Sequence, residues 1–491
     1  MKNKFLLSSL ACISFYTTQA QPSSKLPNII FILADDIGYA DFSCYGAKTI
    51  ATPHIDELAA NGIRFTNAYA PASTSSPSRY ALLTGEYAFR KRVGILPADA
   101  PLTIDPQSNN LPLQLKSSGY TTGIVGKWHL GLGNRNETVD FNKKITAGMR
   151  SVGFDYSYIF PATNDRVPTI FLENDQVVNG DPNDPIKVSY RKKIGNEPTG
   201  KENPDLLTLK YYQGHDGTII NGISRIGWMS GGHKARWNDQ EMGEVLSNQA
   251  VSFIRENKQK PFFLYYATHN AHEPRVPNPK FAGQSKAGIY GDMIEEFDEY
   301  VGRIIETLKK EGIFENTLLI ISSDNAPMIK EGYHDGAEEN IGSHRPCADL
   351  RGAKYSLYEG GTKVPFIVSY PSLVKKPFVQ TQRFSYIDML ATVASITQAK
   401  PYRNSLNDSK DASELFRSPS APVYRDYIIT QNNGGDIAIR KNDWKYIPSK
   451  NELFHLKKDP NEKINLSQTE KGKSIINDLS SLIKNIANKD I

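Results

Sequence analysis

Four short apolar runs in this 491-residue chain end in groups that can do chemistry. "NIIFILADD" closes on Asp35 and Asp36, and "TLLIISSDN" closes on Asp324 and Asn325. Together they offer carboxylate and amide oxygens, with no sulfur and no imidazole. Such a set suits a hard divalent cation, Ca²⁺ ahead of Mg²⁺ when several carboxylates supply the shell. "TTGIVGKWHLG" carries Lys127 and His129, and "KPFFLYYATHNAH" carries His269 and His272. With Arg79 and Lys354, the groups Lys127, His129 and His272 would set several cations beside one anionic metal cluster. That pairing suits an anionic substrate group whose oxygens gain charge in the transition state. Sulfate, phosphate and carboxylate all meet this description. The stretch "SSPSRYALLTG" adds Ser75, Ser76 and Ser78. It has no glycine elbow and no local histidine, so none of these hydroxyls is an activated nucleophile by itself.

Groups spread over three hundred residues act together only if the fold gathers them. Each run is apolar without alternation, as expected for a strand covered on both faces in a parallel sheet. "GDMIEEFDEYVGRIIETLKKEG" places Met293, Ile294, Phe297, Val301, Ile304, Ile305 and Leu308 at helical spacing and stops at Gly312. "HIDELAANG" is a shorter helix ended by glycine. Alternating strands and helices predict an α/β fold, with ligands beyond the carboxyl ends of the strands. The polar tails should therefore meet. Residues 135–250, rich in Asn, Asp, Gly and Pro, read as insertions over the sheet edge, where specificity loops reside. From about residue 400 a linker-like stretch leads to the strand candidates "DYIITQ", "IAIRKNDWKYI" and "NELFHL" and to a closing helix, "GKSIINDLSSLIKNIAN". The expected organisation is an α/β domain over 21–399 and a small α+β domain over 400–491.

Hydrophobic residues are 39% and charged residues 23%, as in soluble globular proteins. A net charge of +5 with no basic run gives no footprint for nucleic acid. Residues 1–20 place Lys2 and Lys4 before "FLLSSLACISFY" and "TTQA", the layout of a secretory signal peptide cut after Ala20. Its apolar part is too short to span a bilayer. The mature protein is expected to be exported, without stable membrane association. Only Cys44 and Cys347 would remain. They could pair or stand apart, and no cysteine spacing marks a zinc site.

The run from Ser75 through Pro77 and Arg79 to Thr84-Gly85 resembles the signature of the type I sulfatases, Cys or Ser, any residue, Pro, any residue, Arg, ending in Thr-Gly. "ADDIGYADFSCYG", "GKWHLG", "SSDNAP", "LRGAKYSLYEGGTKVP" and "ELFHLKKDPNEKINLS" resemble the family's other motifs, in its order. Ala326 and Thr362-Lys363 depart from the common residues without removing a chemical group. The likeness spans nearly the whole mature chain. It implies the α/β fold of the alkaline phosphatase superfamily, a large mainly parallel sheet sandwiched by helices with a smaller C-terminal α+β domain. It implies that Ser75 is oxidised to Cα-formylglycine before folding, by an anaerobic radical-type maturing enzyme that reads Pro77 and Arg79. The serine form implies a bacterial source, and with the leader segment the expectation is export to the periplasm, or secretion, in a Gram-negative bacterium. Position 76 is free in the motif, so Ser76 should be replaceable.

By the same resemblance, modified Ser75 is the nucleophile and a metal ligand, with Asp35, Asp36, Asp324 and Asn325 completing a Ca²⁺ site. Arg79 orients the hydrated aldehyde. Lys127, Lys354 and His272 bind sulfate oxygens or protonate the leaving oxygen, and His129 helps deprotonate the hydrate. The division of acid and base between the two histidines stays open. His215, Asp216, Trp237, His269 and His344 are the candidates for sugar contacts, His344 first because it precedes Lys354 by ten residues. The likeness of "GISRIGWMSGG" and "LRGAKYS" implies an exo-acting enzyme on 6-O-sulfated galactose or N-acetylgalactosamine, as in chondroitin or mucin glycans. Two other classes compete: a phosphatase or phosphodiesterase with two transition metals, and a non-catalytic glycan-binding relative whose Ser75 stays unmodified.

Overall fold

Asn28–Ala34 is the central strand, and its side chains explain its sequence. Ile29, Phe31 and Leu33 enter one hydrophobic core, while Ile30, Ile32 and Ala34 enter another. Both faces are covered, so neither alternates with polar residues. In this computed structural model, residues 26–402 and 408–488 are described; the expected signal peptide lies outside them. Thr317–Ser323 pairs parallel on one side of the central strand and Phe262–Ala267 on the other. Thr121–Lys127 and then Tyr156–Phe160 extend the sheet, again parallel. The order within the ten-stranded sheet is thus continuous through all four apolar runs. Their carboxyl ends share one edge, where the polar tails emerge. Antiparallel pairs begin beyond this block, at Phe366–Ser369 on one flank and Leu172–Glu173 on the other.

Helices Met242–Asn257 and Gly288–Lys310 cover one face. Leu246, Ala250 and Phe253 of the first and Met293, Phe297 and Val301 of the second join the core of Ile30 and Ile32. The other face receives Leu82 and Leu83 from helix Ser75–Thr84 and Met389, Leu390 and Val393 from helix Met389–Thr397. Each of the larger side chains among these contributes roughly 1.5–3 kcal/mol by leaving water. The sheet edge is therefore a stiff platform.

The reading of residues 135–250 as insertions over the sheet edge needs correction. This segment supplies strands Tyr156–Phe160, Leu172–Glu173 and Gln176–Val177 to the main sheet and also the core helix Met242–Asn257. Two of those strands have two residues each, too short to leave a period in a Gly- and Asn-rich sequence.

Tyr427–Gln431, Ile437–Lys441, Trp444–Ile447 and Glu452–His455 form a separate antiparallel sheet. Helix Glu470–Ala487 packs Leu479 and Ile486 against Ile429 and Ile439. Gln431 fastens this sheet to the segment that enters helix Ser75–Thr84. Its N–H donates to the Pro71 carbonyl at 3.0 Å, and its carbonyl accepts from the Ser73 N–H at 2.8 Å. Its side-chain amide donates to the Val93 carbonyl at 2.7 Å. Cys44 and Cys347 are both free thiols. Among the described residues no helix is long and apolar enough to cross a membrane.

Candidate active site

Asp35 and Asp36 follow the central strand, and Asp324 and Asn325 follow its neighbour Thr317–Ser323. Carboxylate oxygens of Asp35, Asp36 and Asp324 lie within 4.8 Å of one another. All three residues are buried. Asp36 turns sharply off the strand with φ 61°, a left-handed conformation that aspartate tolerates better than most residues. Asn325 donates its amide N–H groups to Asp36 Oδ1 at 2.5 Å and to the Ala326 carbonyl at 2.8 Å. Its Oδ1 is left facing Ser75 Oγ at 3.5 Å, and Asp35 Oδ1 faces the same hydroxyl at 3.4 Å. Carboxylate and amide oxygens thus collect around one point. An oxygen-only set of this kind can hold a divalent metal.

Ser75 is the first residue of helix Ser75–Thr84, which is buried along its whole length. Pro77 falls in the first turn, where its missing N–H leaves no helical bond unmade. Gly85 ends the helix at φ 66° and returns its N–H to the Ala81 carbonyl. The helix dipole favours negative charge at Ser75. Arg79, one turn on, is fully buried. Its Nε and Nη2 donate to Asp324 Oδ2 at 3.0 and 2.8 Å, and Nη2 lies 3.6 Å from Asp35 Oδ1. Burial opposes charge on both partners, but their attraction prevails. Asp324 stays well below the usual carboxylate range and Arg79 above the usual guanidinium value. Lys127 Nζ donates to Asp35 at 2.7 Å and to Ser75 Oγ at 3.0 Å. Burial pushes Asp35 up to about 6, against the pull of Lys127, and pushes Lys127 down. The second residue of the motif is not idle. Ser76 is buried, and its Oγ accepts the Leu96 N–H at 3.1 Å.

That loop reaches His129. The Leu96 carbonyl accepts from His129 Nε2 at 3.0 Å and from Arg166 Nη1 at 2.8 Å. A carbonyl can only accept, so Nε2 carries the proton and Nδ1 keeps its lone pair. Nδ1 is buried and has no partner. Burial, then Lys127 and Arg166, holds His129 neutral, far below the ordinary imidazole range. His272 turns Nδ1 to the Glu273 carbonyl at 2.6 Å and points Nε2 towards Asp36 Oδ2, 3.9 Å away. Lys354 Nζ lies 2.7 Å from Asp36 Oδ2 and 2.7 Å from Glu331 Oε2. Glu331 is a site residue that the sequence reading misses. With Asp36 and His272 it forms a second group of possible metal ligands within 4.8 Å. The Lys354 ammonium already bridges its two carboxylates, so a second metal would have to displace it. Tyr265 and Tyr386 are missed as well. Tyr265 OH accepts from Arg79 at 3.4 Å, while Tyr386 OH donates to the Asp324 carbonyl at 2.8 Å. Both lie inside apolar runs or beside them, where tyrosine reads as core.

The sugar-contact candidates fare unevenly. Trp237 is 4% exposed, packs on Phe160 and Phe171, and donates its indole N–H to Asp239. It is a core residue and shows no face to a ligand. His344 is committed to Asp41, Nε2 to Oδ1 at 2.6 Å, and its side chain is 4% exposed. Asp41 in turn accepts from Tyr290 OH at 2.5 Å. His344 therefore belongs to the support of the 38–41 turn, which corrects its place as first candidate. His269 is buried near His272 and Asp239, and burial lowers it to about 4. Asp216 is half-buried. His215 faces acceptors with both nitrogens, Asp165 Oδ2 at 3.0 Å and the Gln213 carbonyl at 2.6 Å. Burial disfavours its charge, but Asp165 outweighs this and raises His215. Asp165 adjoins Arg166, so this pair stands behind the Leu96 carbonyl that holds His129.

Residues 27–399 match the sulfatase family. An N-acetylgalactosamine-6-O-sulfatase of Bacteroides thetaiotaomicron is 45% identical over 483 residues, 94% of this chain and 94% of that protein. The steryl-sulfatase of Rattus norvegicus is 31% identical over 420 residues, 79% of this chain and 70% of that protein. Among solved structures, one from work on the metabolism of multiple glycosaminoglycans by Bacteroides thetaiotaomicron superposes with a TM-score of 0.92 at 45% identity, covering 95% of this chain and all of its own.

Proposed function

The chain belongs to the sulfatase family, and from that footing we propose that it removes the 6-O-sulfate of N-acetylgalactosamine or galactose units in a chondroitin or mucin-type glycan, using a formylglycine made from Ser75 and a Ca²⁺ ion. It is a sulfuric ester hydrolase of the alkaline phosphatase superfamily. The relative named as an N-acetylgalactosamine-6-O-sulfatase supports the choice of sugar and position. The observation that carries the chemistry is Ser75 Oγ, set between Asp35, Asn325 and Lys127 at the start of a buried helix.

Each residue has a part in the reaction. Ca²⁺, held by Asp35, Asp36, Asp324, Asn325 and the group on residue 75, would polarise a sulfate oxygen. The hydrated aldehyde of residue 75 carries two hydroxyls on one carbon. One attacks sulfur, and the sugar alcohol leaves with the sugar–oxygen bond intact. The other then loses its proton, the C=O re-forms, and the C–O bond to sulfate breaks. Water restores the hydrate. Lys127, 3.0 Å from Ser75 Oγ, stabilises the attacking oxygen as it sheds its proton. Arg79, fixed on Asp324, holds the hydrate in line. His129 Nδ1, neutral and unpartnered, is the base for the second hydroxyl. His272 Nε2 and Lys354 face Asp36 from the other side and serve the leaving oxygen. His215 is the sugar-contact candidate with a buried partner and a route to this wall.

Residues 1–20 are proposed to direct export to the periplasm, and an anaerobic maturing enzyme to act before folding. In the folded protein Ser75 is 4% exposed and Arg79 is fully buried, which supports modification of the unfolded chain. The test compares matured and unmatured protein on N-acetylgalactosamine 6-sulfate, with mass spectrometry of the Ser75 peptide. Maturation should remove two hydrogens and switch on turnover. Equal turnover by the unmodified serine protein would sink the formylglycine mechanism.

A further inference from the structure

Glu331 is the acidic residue of the pocket that the proposed mechanism leaves unused. It lies on the loop after Thr317–Ser323, and that loop is firmly held. Glu273 accepts the N–H groups of Glu331 and Tyr333 at 3.1 and 3.0 Å, and Arg275 holds Glu273 at 3.1 Å. The Glu331 carboxylate is used on both oxygens, Oε2 by Lys354 at 2.7 Å and Oε1 by the hydroxyl of Tyr355. It belongs to the group around Asp36 and His272, and not to the Asp35–Asp36–Asp324 cluster.

We propose that Glu331 sets the charge preference of the site, so that the pocket favours a singly charged sulfate ester over a doubly charged phosphate ester. The inference rests on the sulfate-ester reading of the site. The carboxylates of Asp35, Asp36, Asp324 and Glu331 face the cationic groups of Arg79, Lys127 and Lys354. With a divalent cation this set sums to a single positive charge, the complement of a sulfate monoester. Without the Glu331 charge the pocket would complement a dianion instead. The carboxylate is dispensable for placing Lys354, because Asp36 holds the same ammonium at the same 2.7 Å. Its distinct contribution is therefore electrostatic. A phosphate monoester, doubly charged above a pKa of about 6, meets it with one charge more than a sulfate ester does. A unit charge this close discriminates those ligands by about tenfold or more.

The test uses matured, calcium-loaded protein on N-acetylgalactosamine 6-sulfate and 6-phosphate at a pH of about 8, where the phosphate is a dianion. Glu331→Gln should raise the phosphate-to-sulfate ratio of kcat/KM about tenfold. Glu331→Asp keeps the charge and should keep the wild-type ratio. Tyr355→Phe loses a hydrogen bond and no charge, so both substrates should slow alike. A second readout needs no turnover: calorimetry of inorganic phosphate with calcium-loaded, unmatured protein on either side of the phosphate titration. Glu331→Gln should gain about tenfold for the dianion relative to the monoanion. An unchanged ratio in the glutamine variant overturns the proposal, and so does an equal change in Tyr355→Phe. If the phosphate affinities shift as expected while the matured wild type leaves the sulfate ester intact, the charge assignment stands and the sulfatase reading falls.

Discussion

The two acidic groups that share Asp36 are built from different parts of the fold. Asp35, Asp36 and Asp324 stand directly on the ends of two paired strands, whose side chains are wholly buried. His272 and Glu331 come from loops beyond two strands and are held through Glu273 and Arg275. The first group offers only oxygens, while the second sets a histidine and an ammonium beside Asp36. Strand ends hold distances closely, which a metal shell demands, whereas loops place longer side chains around a variable ligand. The comparison separates the group proposed to hold the metal from the group proposed to meet the ester.

Breaking the first group should cost most. Asp324→Ala should lower kcat by at least about 10³-fold and abolish Ca²⁺ binding in calorimetry. It also strands the buried Arg79 without its carboxylate, so unfolding by calorimetry should show a loss of about 3–5 kcal/mol. A stable, fully active Asp324→Ala protein would remove the metal cluster from the mechanism. Breaking the second group should leave the metal in place. Lys354→Ala should retain Ca²⁺ and lose about 10²-fold in kcat/KM, because Asp36 and Glu331 then repel each other and the ester. Loss of Ca²⁺ in this variant would show that the two groups are one.

A smaller effect sharpens the boundary between them. Ser76→Ala leaves the Leu96 N–H unpartnered and loosens the carbonyl that fixes His129. An unmade buried hydrogen bond costs about 1–3 kcal/mol, so kcat should fall roughly tenfold with Ca²⁺ affinity unchanged. Nitrogen-15 spectra should show His129 losing its single tautomer, and Ser76→Thr should restore it. This replaces the expectation that position 76 is free. The smallest effect is a control remote from both groups. Glu296 is buried on helix Gly288–Lys310, and burial raises it to about 7 despite the Tyr300 hydroxyl. A raised folded value means that the folded protein holds this proton more tightly than the unfolded chain does. The stability it confers is complete below the unfolded carboxyl value and is lost as pH rises through about 7. Glu296→Gln should therefore lose less Tm than the wild type between about pH 4.5 and 7, with kcat unaltered.

The first group was legible in the sequence because its residues terminate apolar runs. A buried parallel strand has a recognisable composition, and residues just past its carboxyl end have a fixed place in an α/β fold. Asp35, Asp36, Asp324, Lys127 and His272 could all be located in this way. Glu331 could not, because "IKEGYHDG" is a loop with no period and its partners are some twenty residues on, at Lys354 and Tyr355. Trp237 and His344 misled for the opposite reason. Both lie in polar, Gly-rich sequence that suggests exposure, yet one fills a core with Phe160 and Phe171 and the other supports Asp41. The strands Leu172–Glu173 and Gln176–Val177 escaped notice because two residues cannot show alternation.

Gln431 gives this architecture a timetable. The backbone leading into Ser75 obtains its last hydrogen-bonded partners, at Pro71 and Ser73, from a residue more than three hundred and fifty positions later. A chain emerging from the ribosome therefore exposes Ser75, Pro77 and Arg79 long before the strand that clasps them exists. Until residue 431 is made, the bonds at Pro71 and at the Ser73 N–H cannot form. Completion of the C-terminal sheet closes the interval, so under the proposed formylglycine chemistry the order of synthesis would place the oxidation of Ser75 before its clasping.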